Sequence, residues 1–300
     1  MSIQSNLGKL ARRYTNVLVV APSGVMLLLF VYGFVFWSFL ISLTNSRIVP
    51  VYEFVGLQQY ELLWSNGRWL ESIFNLAVFL FLFVAFATFI GLLQAILLDQ
   101  NIRSENAIRT VFLYPMAISF IVTGVAWKWM LNPGLGIQRL VRDWGYESFE
   151  FDWIVDPEMA LFTLVIAAVW QSSGFAMALF LASLRSIDDE ILKAAKIDGA
   201  STFQTYRSIV MPLLRPALFT TVIILVSLAL RTFDLMVAMT GGGPGFSSDL
   251  PTNFFYQFAF GRSRLGFAAA SGIMIFVMVV IVMAPFIYSE LRNESRRGGR

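Results

Sequence analysis

The chain has 300 residues, of which 57% are hydrophobic and only 14% charged, against roughly 45–50% and 25% in soluble domains. That balance excludes an ordinary soluble globular protein. A net charge of +3 and a pI near 9.3 call for no nucleic-acid partner, because no basic–aromatic pattern accompanies them. The absence of cysteine and histidine removes disulfide and thiol chemistry and the commonest metal ligand and proton shuttle.

In chain order, residues 1–16 read as a short lead-in and Val17–Leu43 as the first apolar segment. It is longer than the roughly 7–15 residues of a secretion-signal core and no small-x-small cleavage site follows, so it reads as a retained span. Ile73–Leu98, Thr110–Leu131, Ala160–Leu184, Ala217–Met239 and Leu265–Tyr288 follow. Each is apolar all round and reaches the roughly 20 residues that cross a bilayer as helix. Residues 17–288 thus read as one six-span domain, with 289–300 a basic tail. Four or five spans with one buried re-entrant piece remain an open alternative. The fold class is an all-α integral membrane protein.

Between the spans, Ile137, Leu140, Val141 and Trp144 stand at helical spacing, as in a helix lying on a surface. That surface is either this chain's own rim or a partner. Trp64, Trp69, Trp127 and Trp129 fall at predicted boundaries, where indole anchors in the headgroup region. Ala178, Ala182 and the run Ala268–Gly272 offer small faces for close helix packing.

Lys and Arg set the orientation. Fourteen of the 22 lie on the side holding both termini, seven on the other, and Arg231 within the fifth span. Positive residues favour the cytoplasm, so both termini and the loop 185–216 are expected there.

That loop contains ILKAAKIDGASTFQTYRSIVMPLLRP, Ile191–Pro216. Ile187, Ile191, Ala194 and Ala195 share a helix face, and Asp188, Asp189 and Glu190 complement its N-terminus. Gly199 permits a turn between two helical pieces, and Pro216 can open the next helix. A plain connector would not need a small apolar face presented to water. KAAKIDGA followed by Phe203, Ile209, Pro212 and Pro216 resembles the cytoplasmic "EAA" loop of ABC-importer permeases. FVGLQQY (54–60) resembles the "GLxNY" turn of the carbohydrate-uptake members. TGGGPGFSSDLPTNFFYQFAF (240–260) and GFAAASG (266–272) resemble the signature after their fifth span.

The resemblance implies the type I ABC importer permease fold, six transmembrane helices with coupling helices between spans four and five, in a bacterial plasma membrane. It implies a transporter subunit rather than an enzyme, holding no cofactor itself, with ATP and Mg bound by a partner ATPase. The implied partners are a second homologous permease, two ATPase subunits, an extracytoplasmic sugar-binding protein and membrane lipid. Carried onto this chain, the ATPase-coupling residues are Glu190, Lys193, Ala194, Ala195, Asp198, Gly199, Ala200 and Phe203. Lys193 stands where the family has Glu, which reverses the charge offered to the ATPase at that point. Gly241, Gly242, Gly243 and Pro244 would face the binding protein. Segments 232–244 and 259–272 look most like permeases for glucose or related glucosides.

Arg231 and Asp234 stand i, i+3 within an apolar segment, where charges pair or face a cavity. Both a structural pair and a lining of the solute path are open readings. The family's path-lining helices point to Trp170, Gln171, Ser172 and Phe175 on the fourth span and Leu228, Arg231, Thr232 and Asp234 on the fifth. Aromatic faces with amides and hydroxyls suit sugars. The chain has no GxxxxGK[ST] phosphate loop and no GxSxG, HExxH or CxxC. The rival, an ion-coupled secondary transporter, would need intramembrane carboxylates or inverted repeats; Asp234 is the single clear candidate.

Overall fold

Apolar side chains long enough to span a bilayer cannot leave backbone N–H and C=O groups bare, so helix is forced on them. The computed structural model describes residues 19–47, 49, 51–100 and 102–297. The lead-in 1–16 and the last residues of the basic tail lie outside the described residues. Helix α1 is Val19–Ser42, with a π-helical turn at Leu28–Tyr32. Short α2, Gln58–Trp64, precedes α3, Gly67–Leu98. The next elements are α4, Glu105–Ala117, α5, Phe120–Met130, α6, Ile137–Asp143, and α7, Ala160–Leu184. Then come α8, Asp189–Ile197, α9, Thr202–Leu213, α10, Arg215–Leu230, and α11, Asp234–Met239. Helix α12 is Pro251–Tyr256 and α13 is Leu265–Arg297. Among the described residues there is no strand, only an isolated bridge between Thr44 and Phe54.

Among the described residues four helices are long and apolar enough to cross a membrane, and up to six spans result if two bent pairs each count as one. The third predicted segment is one of them, α4 and α5 meeting at 101°. Pro115 lacks the N–H that would carry the helix through, and Ile118 and Ser119 are extended. The other bent pair is α9 and α10, at 63°. The fifth predicted segment is also interrupted, since α10 stops at Leu230 and α11 begins at Asp234.

The chain forms two compact units. One comprises residues up to Ser65 with Phe255–Phe276. In it Ala268, Ala269, Ala270 and Ser271 are buried, and a Cβ at Gly272 would lie 3.3 Å from the Phe255 ring. The outer surface of α1 is bare hydrocarbon, with Leu29 and Phe30 exposed, so it needs an apolar surrounding.

The other unit comprises Asn66–Phe254 with the chain from Val277 onward. Its core joins Phe79, Phe83 and Ala87 of α3 to Leu164, Ala168, Met177 and Phe180 of α7. A Cβ at Gly91 would meet the Ala176 Cβ at 2.5 Å and the Met177 backbone nitrogen at 2.9 Å. The two backbones therefore approach as closely as small residues allow. The small face of α7 is Ser173, Gly174 and Ala176, all buried; Ala182, expected there, is exposed. Trp69 also departs from expectation. It is fully buried against Phe254, ring centroids 5.1 Å apart, rather than anchored in headgroups.

Candidate functional site

The two breaks expose backbone carbonyls inside an apolar structure, and each is answered by a side chain. At the α4–α5 bend, Gln171 Nε2 donates to the Ile118 carbonyl at 2.7 Å. At the α10–α11 break, Thr252 Oγ1 donates to the Thr232 carbonyl at 3.2 Å. Non-helical backbone at membrane depth persists only where neighbours satisfy it in this way. Helices α5 and α11 also pack together. A Cβ on Gly124 of α5 would fall 2.7 Å from the Ala238 Cβ and 2.9 Å from the Leu235 carbonyl oxygen of α11.

This geometry redistributes the residues expected along the path. Gln171 is buried and committed to Ile118, although its Oε1 has no hydrogen-bond partner among the described residues. Ser172 is buried, while Phe175 and Leu228 are half-buried. Trp170 is exposed, lies edge-on to Trp127 at 5.9 Å, and lines a cavity of about 630 Å³ with Phe86, Gln94, Phe112 and Ser173. Thr232 Oγ1 donates to the Leu228 carbonyl at 3.1 Å and Arg231 Nε to the Ser227 carbonyl at 3.2 Å. The helical i, i+3 relation of Arg231 to Asp234 is absent because the break lies between them. Among the described residues they form no ion pair, and both are exposed.

The segment after α7 is tied down by charge. Arg185 Nη2 lies 2.7 Å from Glu105 Oε1, and Arg185 Nε 3.9 Å from Asp99 Oδ1. Burial pushes the Asp99 carboxyl up from its ordinary range, and the Arg185 charge partly offsets this. Asp188 caps α8, its Oδ1 accepting the Glu190 N–H at 2.9 Å. Of the face predicted there, Ala195 is buried and Ile187 packs with Leu192 against the core. Ile191 and Ala194 point outward, with Glu190, Lys193 and Asp198 also exposed.

Asp198 ends α8, and Gly199 turns at φ +78°. Ala200 is half-buried. Ser201 and Gln204 then form a reciprocal capping box on α9. This turn displays Ile197 and Phe203, 86% and 72% exposed. Two large apolar side chains thus stand bare on a polar helical corner.

The loop after α11 is rigidly held. Gly241 and Gly242 have φ of +65° and +91°, and a Cβ on Gly242 would lie 2.8 Å from Asp249 Oδ1. The Ser248 hydroxyl donates to the Gly243 carbonyl at 2.8 Å, and Pro244 is half-buried. Asp249 accepts from Arg68 Nε at 2.7 Å and from Asn253 Nδ2 at 2.6 Å. Asn75 Nδ2 donates to the Phe246 and Asp249 carbonyls, and Arg68 stacks over the Phe246 ring at 4.3 Å. Sequence reasoning missed Arg68, Asn75 and Asp249. An acid in the polar turn SSDLP carries no signal of its own, and its partner Arg68 is 181 residues away.

A family described as binding-protein-dependent transport system inner membrane component matches residues 65–289. A probable ABC transporter permease protein of Pyrococcus horikoshii is 36% identical over 93% of this chain and 97% of its own. The xylose/arabinose import permease protein of Haloferax volcanii is 33% identical over 90% and 86%. Among solved structures, a chain of a bacterial ABC transporter that imports the acidic polysaccharide alginate superposes with a TM-score of 0.83 at 18% identity. That match covers 96% of this chain and 99% of the other.

Proposed function

The chain belongs to the family of binding-protein-dependent transport system inner membrane components, and from that premise we propose that it conducts a carbohydrate. It is a multi-pass membrane permease subunit of an ABC importer, not an enzyme, and that membership sets aside the ion-coupled reading. The proposed solute is a sugar because relatives named for pentose and for trehalose/maltose transport align along nine-tenths of the chain. Glucose or a glucoside is the first candidate, on the resemblance of segments 232–244 and 259–272.

In this reading the chain forms half of the path, with Trp170, Leu228, Arg231, Thr232 and Asp234 toward the solute. The other half comes from a homologous permease. Two ATPase subunits, which bind ATP and Mg, press on the corner of α8 and α9, and both termini share their cytoplasmic side. An extracytoplasmic binding protein delivers sugar to the loop Gly241–Pro244. The observation that carries the coupling role is the exposure of Ile197 and Phe203 either side of the Gly199 turn.

The test is reconstitution of the whole complex in liposomes with labelled glucose, maltose, trehalose and xylose. Uptake should require both ATP and loaded binding protein. Uptake driven by a proton or sodium gradient without ATP would overturn the reading.

A further inference from the structure

Where the chain leaves α1 and where it enters α13, three arginines gather around one polar cavity of about 400 Å³ lined by Arg47, Arg262, Arg264, Ser46, Ser263 and Gln59. We propose that this cavity is a binding site for the phosphate group of an anionic membrane lipid. Nothing in the coupling or path reading uses these residues.

Close backbone packing brings the arginines together. The Gly266 N–H donates to the Ser46 carbonyl at 2.9 Å, and a Cβ on Gly266 would collide with the Thr44 carbonyl. The loop carrying Arg47 is thereby held against the start of α13. Ser263 sits at φ +57°, rare for a residue with a side chain, and such strain collects at functional sites. Its neighbours are held from one face. The Arg262 guanidinium lies 4.7 Å above the Phe258 ring and that of Arg264 4.9 Å above the Phe267 ring. Among the described residues no hydrogen bond occupies their N–H edges, which can therefore meet oxygen.

Charge argues for an anion. Among the described residues none of the three arginines has a carboxylate within ion-pair distance, so the cluster is uncompensated. Gln59 is 4% exposed, its Nε2 donates to the Thr44 carbonyl at 3.2 Å, and its buried Oε1 has no partner among the described residues. A headgroup with a phosphate and a hydroxyl satisfies both halves of this site: guanidinium forks take the phosphate oxygens and the hydroxyl donates to Gln59 Oε1. Phosphatidylglycerol has that pair of groups and phosphatidylcholine lacks the hydroxyl. Lipid is favoured over free phosphate because Arg47 follows the end of one apolar helix and Arg264 directly precedes another. Long basic side chains at helix ends reach the headgroup level of the adjoining leaflet.

The intact complex, freed of lipid and returned to mixed phosphatidylglycerol–phosphatidylcholine nanodiscs, tests this by mass spectrometry of the lipid that stays bound. Wild type should retain phosphatidylglycerol preferentially. Arg47→Gln and Arg264→Gln should each lower that preference about fivefold, the expected effect of one basic residue at a headgroup. Arg264→Lys should keep most of it. Arg139→Gln, an exposed arginine paired with Asp143, should change nothing. Unchanged preference in both pocket variants, or loss in Arg139→Gln alike, overturns the site. A thermal shift with inorganic phosphate equal to that with phosphatidylglycerol overturns the lipid source. Variants that weaken binding-protein docking while keeping phosphatidylglycerol would point to an acidic protein segment instead and also overturn it.

Discussion

Arg68 Nε lies 2.7 Å from Asp249 Oδ2, and the two side chains are 13% and 0% exposed. The pair joins the first turn of α3 to the glycine-rich loop across 181 residues of sequence. Asn253 Nδ2 donates to the second carboxylate oxygen of Asp249 and Asn75 Nδ2 to its backbone carbonyl, the added hydrogen bonding that helps a buried ion pair to be tolerated. Its worth lies in fixing the loop rather than in raw stability.

Removing one partner should therefore be costly. Asp249→Asn leaves the Arg68 charge enclosed and should destabilise by about 3–5 kcal/mol. The measurement is the thermal unfolding midpoint of the purified complex, with protease cleavage inside Gly241–Ser248 as a local readout. Arg68→Leu combined with Asp249→Leu should recover part of the loss. A single variant as stable as wild type would show the pair to be incidental.

Gly242→Ala should destabilise more than Gly245→Ala. Both have positive φ, but a Cβ on Gly242 meets Asp249 Oδ1 at 2.8 Å and Asn253 Nδ2 at 3.0 Å, whereas nothing lies within 4 Å of one on Gly245. Gly245→Ala should cost only the left-handed conformation, roughly 1–2 kcal/mol. Equal midpoints for the two variants would contradict the packing argument.

At Gly199 a Cβ would meet open space, so the effect of Gly199→Val comes from φ +78° alone. A β-branched residue there is a genuine outlier. The variant should insert and assemble but reorient Phe203 against Ile197 and uncouple ATP hydrolysis from uptake. Stimulation of ATPase activity by loaded binding protein in liposomes reads this directly, and normal stimulation with normal uptake would refute it.

Gln171 and Asp234 should part company. Gln171→Ala strands the Ile118 carbonyl and should cost about 1–3 kcal/mol of stability, lowering complex yield. Asp234→Asn removes a charge that no described cation pairs, so assembly should survive while uptake per complex falls. Normal stability of Gln171→Ala, or failed assembly of Asp234→Asn, would reverse these roles.

Much of the fold was legible from hydropathy alone. Ala160–Leu184 is predicted and found with the same ends, because apolar composition and helix length are local properties. The breaks were not legible. An apolar run reads the same whether one helix or two cross it, and Arg231 was taken for a charge inside a helix when it stands at the end of one. Gly199 could be anticipated, since a left-handed residue announces itself in its own identity. Arg68 and Asp249 could not, because nothing in either neighbourhood names a partner so distant in sequence. Trp69 was misassigned for the same reason, its position at a span end saying nothing of Phe254.

The contact of Gly124 with α11 has a mechanical consequence. Both α5 and α11 are detached from their inner halves by non-helical residues, yet each is locked to the other through a position that admits no side chain. Neither can tilt alone. Leverage applied to α4 or α10 is therefore expected to move α5 and α11 as a single rocker arm, with the carbonyls of Ile118 and Thr232 at its pivots.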